Sequence, residues 1–195
     1  MGKIFCLMGK SATGKDTIYA QLFHSKGFQL KKIIPYTTRP IREGEEEGRE
    51  YFFCDEDKVQ QLERAGKIIE LRSYNTVYGE WKYFTADDGQ FDLDKDSYLT
   101  IGTLEAYLGM RDYFGAGKVV PIYVEVEDGE RLIRAIAREK SQTTPKYEEM
   151  CRRFLADAED FSEENLEKAG ISVRFENRNV QETIEAIRGY IQRML

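Results

Sequence analysis

Apolar residues run without a break through Ile4-Phe5-Cys6-Leu7-Met8. A continuous run of this kind predicts a strand buried on both faces, since a strand with a wet side would alternate. Comparable runs at 97–102, 118–126 and 171–175 predict three more core strands, and 30–34 a short strand or its approach. Helical spacing of apolar positions recurs between them, at 17–23, 104–114, 128–139, 148–167 and 180–195. Strands alternating with helices predict a parallel sheet with helices on both faces, an α/β fold. The stretch 35–84 interrupts this rhythm. It opens as a Pro- and Gly-constrained loop, continues as a helix over 55–66, and ends in aromatic, alternating stretches at 67–72 and 74–83, with Tyr78-Gly79 in a turn.

The first strand leads into Gly9-Lys10-Ser11-Ala12-Thr13-Gly14-Lys15-Asp16-Thr17, and a helix follows. Strand, glycine loop and helix form the setting of a phosphate-binding loop. Two glycines let the backbone curl so that its N–H groups converge as an anion nest. The helix N-terminus adds its positive dipole end, and Lys15 reaches the outer phosphates of a nucleotide. The hydroxyl residue that normally follows the lysine is absent; Asp16 stands there and Thr17 comes next.

A second loop carries Arg39 and Arg42, three apart among prolines and glycines, which is not a helix face. Arginine is the planar donor suited to bidentate phosphate binding, so the loop reads as a second phosphate site. The adjoining Glu45-Glu46-Glu47 reads as a solvated acidic face.

At 195 residues, 41% hydrophobic and 33% charged, the chain has the size and composition of one globular domain. A net charge of -6 argues against a nucleic-acid surface and against binding to anionic membranes, and leaves room for a local basic pocket. Three scattered cysteines, Cys6, Cys54 and Cys151, offer neither disulfide framework nor zinc spacing, and the one histidine, His24, has no partner histidine. A reducing compartment, the cytoplasm, is expected. There is no signal peptide and no apolar run of membrane length.

Thr37-Thr38-Arg39-x-x-Arg42-x-Gly44-Glu45, then Gly48 and Tyr51, and further on Glu70 and Tyr78-Gly79, resemble the guanylate kinase family of nucleoside monophosphate kinases. The likeness runs over nearly the whole chain and implies the P-loop NTPase fold. It divides the single domain 1–195 into a core (1–34, 85–130 and 168–195), a monophosphate-binding insert (35–84) and a helical lid (about 131–167). It implies transfer of the terminal phosphoryl of ATP to GMP, with Mg²⁺, by a protein active as a monomer or homodimer. By this resemblance residues 9–17 and Asn177 would hold ATP. Arg39, Arg42, Tyr51 and Tyr78 would hold the acceptor phosphate, and Glu70 would accept from the guanine edge, where N1–H and the amino group are neighbouring donors. Lys15 with the lid arginines Arg134, Arg138 and Arg153 would be the catalytic cations. The chemistry needs positioning and charge neutralisation, with no general base.

The sequence departs from the family at several points. Asp16 replaces the hydroxyl that serves Mg²⁺, leaving the choice between Asp16 and Thr17 open. Pro35, Glu80, Thr100 and Gly102 occupy positions where the family reads the base with hydroxyls and carboxylates. Asp16 after the lysine also resembles the ribose 1,5-bisphosphate phosphokinases, which, with other monophosphate kinases, are the alternative enzyme reading. A non-catalytic guanylate-kinase-like interaction domain is the other alternative, and the intact Lys15 and glycines argue against it.

Overall fold

A computed structural model describes residues 2–23, 29–42, 44–76 and 79–195. His24 and Tyr78, with the turn expected at Tyr78, lie outside the described residues. The continuous apolar run forms β1 (Ile4–Met8), buried at every position. It is the central strand of a five-stranded sheet of order β2-β7-β1-β8-β9, in which β2 is Leu30–Lys32, β7 Ser97–Ile101, β8 Val119–Glu125 and β9 Arg174–Glu176. The pairs β2–β7 and β8–β9 are parallel, as the alternation of strands and helices predicts. A second sheet of order β4-β3-β6-β5 is built from β3 (Tyr36–Thr37), β4 (Phe52–Phe53), β5 (Ile68–Thr76) and β6 (Gly79–Ala86). The helices are α1 (Lys15–Phe23), α2 (Glu56–Arg64), α3 (Leu104–Phe114), α4 (Asp128–Lys140), α5 (Tyr147–Asp160), α6 (Glu163–Lys168) and α7 (Val180–Met194).

Three of the departures from the sequence expectation have a clear local reason. The stretch 35–53, read as loop, contains β3 and β4, because the Phe52 and Cys54 N–H groups donate to the Pro35 and Thr37 carbonyls, both at 2.9 Å. The helix expected over 148–167 breaks into α5 and α6. Phe161 leaves the helix to stack on Tyr123 at 5.5 Å, and the Ser162 hydroxyl restarts it by accepting from the Asn165 N–H. The last strand begins at Arg174 rather than Ile171, because the Ile171 N–H is used in the turn that closes α6, on the Leu166 carbonyl.

The chain divides into two compact units. One holds Met1–Ile4, Leu30–Thr100 and Glu105–Val119. Its apolar centre is Tyr36, Val59, Leu62, Phe84 and Ala86, with Tyr36 stacked on Phe84 at 5.0 Å. In the β5–β6 hairpin the register shifts between Ile68 and Glu70, which sets Glu70 opposite Thr85. The other unit holds Phe5–Gln29, Ile101–Leu104 and Val120–Leu195, and so contains the glycine loop together with α4 and α5. No helix among the described residues is long and apolar enough to cross a membrane.

Two helical glycines separate propensity from packing. A Cβ on Gly109 in α3 would lie 2.5 Å from the Glu70 Cβ, whereas one on Gly189 in α7 would meet only the far end of the Arg193 side chain, at 3.4 Å. Alanine gains about 0.5–1 kcal/mol over glycine inside a helix, while overpacking costs about 1–3 kcal/mol. Gly189→Ala is therefore expected to raise the urea midpoint and Gly109→Ala to lower it; equal shifts in one direction would contradict this packing.

Candidate active site

In the unit that carries it, the glycine loop is fixed from outside. Gly9 passes so close to β8 that a Cβ there would stand 2.3 Å from the Val124 carbonyl oxygen. Ala12 adopts a left-handed φ of 64° and Gly14 one of 83°. The carbonyls on this path need partners. Asn177, buried at 4% exposure, donates its amide Nδ2 to the Thr13 carbonyl at 2.8 Å, and a Cβ on Gly14 would come within 2.7 Å of that nitrogen. The Thr13 hydroxyl donates to the Lys10 carbonyl at 2.9 Å. The Ser11 carbonyl accepts from Arg131 Nε at 3.0 Å, and the Ser11 N–H donates to Asp157 Oδ2 at 2.6 Å.

Helix α1 starts directly at Lys15, two residues earlier than its apolar spacing suggests. The Lys15 ammonium makes no hydrogen bond or ion pair with the described residues. Asp16 and Thr17 follow in the first turn, both exposed. Of the expected lid arginines, Arg134 is held by Glu130 at 2.9 Å and donates to the Asn177 carbonyl at 3.4 Å. Arg153 pairs with Glu149 at 2.8 Å, while Arg138 is exposed. A cavity of about 240 Å³ between α4 and α5 is lined by Ser11, Arg138, Lys146 and Arg153. Another of about 330 Å³ is lined by Glu127, Arg134, Asn177 and Arg178. The structure thus brings Arg138 and Arg153 to one cavity and Arg134 and Asn177 to the other.

The other unit carries the second loop. Arg39 is buried at 4% exposure, and its guanidinium makes a two-pronged pair with Glu45, at 2.7 and 2.6 Å. It also lies over the Tyr51 ring, 5.0 Å from the centroid. Glu45 further accepts from the Arg42 N–H at 2.9 Å. The Arg42 side chain is exposed and its guanidinium makes no hydrogen bond or ion pair with the described residues. Glu45 is therefore not part of a solvated acidic face, because a buried guanidinium needs a counter-ion. Its bonds to Arg39 hold its carboxyl well below the ordinary 4.5, at about 2. Burial pushes the Tyr51 phenol up.

Glu70, on β5, is 8% exposed, and each carboxylate oxygen already accepts one bond. The Thr85 hydroxyl donates to Oε1 at 2.7 Å and Arg72 Nε to Oε2 at 2.9 Å. A carboxylate has about four lone-pair sites, so capacity remains on both oxygens. Pro35 gives its carbonyl to β4, Glu80 is exposed on β6, and Thr100 is buried at the end of β7.

A family model for guanylate kinases matches residues 1–193. The chain belongs to the guanylate kinase family. It is 30% identical over 126 residues to a guanylate kinase of Oceanobacillus iheyensis, covering 63% of this chain and 58% of that protein. It is 32% identical over 120 residues to a guanylate kinase of Bacillus subtilis, covering 60% and 56%. The shorter match to the Lactobacillus johnsonii guanylate kinase covers 36% of that relative, so the chain spans between about a third and three fifths of these relatives' length. The crystal structure of guanylate kinase from Anaplasma phagocytophilum superposes with a TM-score of 0.68 at 21% identity, over 98% of this chain and 85% of that one. That likeness establishes the fold, an α/β architecture with a central parallel sheet.

Sequence reasoning assigns no role to Arg131, Asp157, Arg72 or Thr85, and Glu45 reads there as solvated charge rather than as the partner of Arg39. One signal was available: Arg131, Ala135 and Glu139 recur every fourth residue and form the buried face of α4, where a charge calls for a partner.

The Arg39–Glu45 pair has a pH signature. A carboxyl whose value falls from 4.5 to about 2 on folding contributes stability that is fully present above 4.5 and lost as pH falls toward about 2. The stability gap between the native protein and Glu45→Gln should close across that window in urea titrations. A gap that stays constant through it would show that Glu45 titrates normally.

Proposed function

We propose that the protein transfers the terminal phosphoryl group of ATP to GMP, giving ADP and GDP. The observation that carries the reading is the glycine loop, pegged from outside through Ser11 and Thr13 and followed by an unpartnered Lys15 at the mouth of α1. Residues 9–17 would cradle the ATP phosphates, with Lys15 on the outermost. The cavity bounded by Arg134, Asn177 and Arg178 suits the adenosine end of ATP. Arg138 and Arg153, around the other cavity of this unit, would offset charge that builds on the transferred group.

For the acceptor, Arg42 offers an unpaired guanidinium fork. Arg39 and Tyr51 form one wall, and Tyr78 completes the set by resemblance to the family. Glu70, held by Thr85 and Arg72, would accept from the guanine edge. In this reading 35–84 is the acceptor insert and 131–167 the lid. The acceptor oxygen attacks in line and no side chain acts as nucleophile.

Mg²⁺ fits as a companion of the nucleotide. Among the described residues there is no cluster of three metal-binding side chains, and Mg²⁺ is commonly held by one or two carboxylates with waters and substrate phosphates. Asp16, exposed in the first turn of α1, supplies one such carboxylate, and Thr17 is the neighbouring hydroxyl. When bound, the ion would neutralise charge on the phosphates.

A coupled assay with ATP and each acceptor tests the reading. GMP should be phosphorylated, and Lys15→Ala should lower kcat by ~100-fold or more. Glu70→Ala should lower kcat/KM for GMP by roughly 10–100-fold while leaving the KM for ATP near that of the native protein, since losing a charged hydrogen-bond partner costs about 1.5–3 kcal/mol. Turnover of ribose 1,5-bisphosphate alone, or no turnover of any acceptor, would overturn it.

A further inference from the structure

We propose that Arg131 and Asp157 are positioning residues for the donor loop, setting its N–H groups for ATP and fixing the roots of the two helices that carry Arg134, Arg138 and Arg153. The proposal rests on the reading of the glycine loop as the ATP site, but on no assignment of the acceptor. Arg131 is completely buried on α4, and its guanidinium has four neighbours. Nε donates to the Ser11 carbonyl at 3.0 Å, one terminal nitrogen to Asp128, and the other to Asp157 Oδ2 at 3.3 Å, while the Phe154 ring lies under the plane at 4.6 Å. Asp157, on α5, uses the same Oδ2 to accept from the Ser11 N–H at 2.6 Å. Arginine and carboxylate therefore grip both backbone groups of a single residue, one from each helix. Lys10 joins the rim through Asp128 at 3.5 Å.

The gripped residue immediately precedes Ala12, the one non-glycine residue with positive φ among the described residues. Left-handed backbone at alanine is unfavourable by roughly 1–2 kcal/mol and persists only when its surroundings over-determine it. With both groups of Ser11 engaged, the peptide leading into Ala12 cannot rotate. The following N–H groups, from Ala12 to Lys15, then keep one orientation. The same contacts carry outward along the helices. Arg134 and Arg138 lie three and seven residues beyond Arg131 on α4, and Arg153 lies four residues before Asp157 on α5. Neither Arg131 nor Asp157 lines the cavities that hold Arg134, Arg138 and Arg153, so both act through other groups rather than on substrate.

A merely structural ion pair and a positioning device predict different outcomes. Replacing a buried ion pair by apolar groups is often neutral for stability, whereas removing one partner leaves the other uncompensated. Arg131→Met with Asp157→Leu tests the pair as a unit. Asp157→Asn, isosteric and uncharged, serves if the double variant does not fold.

ATP binding is measured by calorimetry with Mg²⁺ present, alongside the thermal midpoint and steady-state kinetics. Both variants are expected to bind ATP at least tenfold more weakly, with the KM for ATP rising in parallel and the KM for GMP within twofold of the native protein. Amide exchange at Ala12 and Thr13 should accelerate. A lowered thermal midpoint with ATP affinity within twofold of the native protein would mark the cluster as structural only and overturn the proposal. Weakened ATP binding in a protein that turns over no GMP would sustain the positioning role while removing the proposed acceptor. A native protein that binds no ATP would overturn both.

Discussion

A loop that turns its N–H groups toward a ligand, as proposed for residues 9–17, cannot satisfy all of its carbonyls from within, and the rest of this unit is arranged around that constraint. Buried carbonyls left without donors are costly. Here the Thr13 carbonyl is met by Asn177 and the Ser11 carbonyl by Arg131. These partners lie 164 and 120 residues away in sequence, which makes the loop conformation a product of the whole fold rather than of its own glycines. The glycines contribute differently. Gly9 permits contact with the Val124 carbonyl, and Gly14 permits both its left-handed turn and the approach of the Asn177 amide.

The sequence revealed the fold's periodic parts and missed what depends on side-chain reach. β1 was legible because a continuous apolar run has few other destinations, and α4 because its spacing repeats. The break between α5 and α6 was not legible, since Phe161 fits a helix face as well as it fits a stack on Tyr123. Arg39 and Glu45 were both noticed, one as a phosphate ligand and the other as solvated charge. Their mutual pairing depends on a loop closing over six residues, which no periodicity reports. Asn177 was tied to the nucleotide only by family likeness; its hold on the loop backbone needed coordinates.

Both units show one electrostatic habit. A buried guanidinium is matched by a carboxylate, Arg39 by Glu45 and Arg131 by Asp157, while a second cation remains without a partner among the described residues, Arg42 in one unit and Lys15 in the other. Burial explains the division. A desolvated charge without a counter-ion is strongly destabilising, whereas one that keeps contact with water, as half-buried Lys15 and exposed Arg42 do, is tolerated and costs less to redirect toward a ligand. The paired arginines give rigidity, and on the proposed function the unpaired cations are left for ligands.

On the proposed function, Glu70 and its surroundings follow a different logic. Glu70 is clamped by a hydroxyl on one oxygen and a guanidinium on the other, with the Gly109 backbone against its Cβ. The clamp limits rotamers, so a bound base would meet a preset carboxylate with little ordering cost. It also places Arg72's positive charge on the group that would accept from guanine, which weakens the pull of that carboxylate on N–H donors. With Pro35 and Gly102 offering no side-chain hydrogen bond, discrimination on the proposed function rests on the geometry of one preorganised group. A site of that kind favours guanine by the angle at which two donors meet two oxygens. Competing bases that present one donor lose one bond there, not the whole interaction.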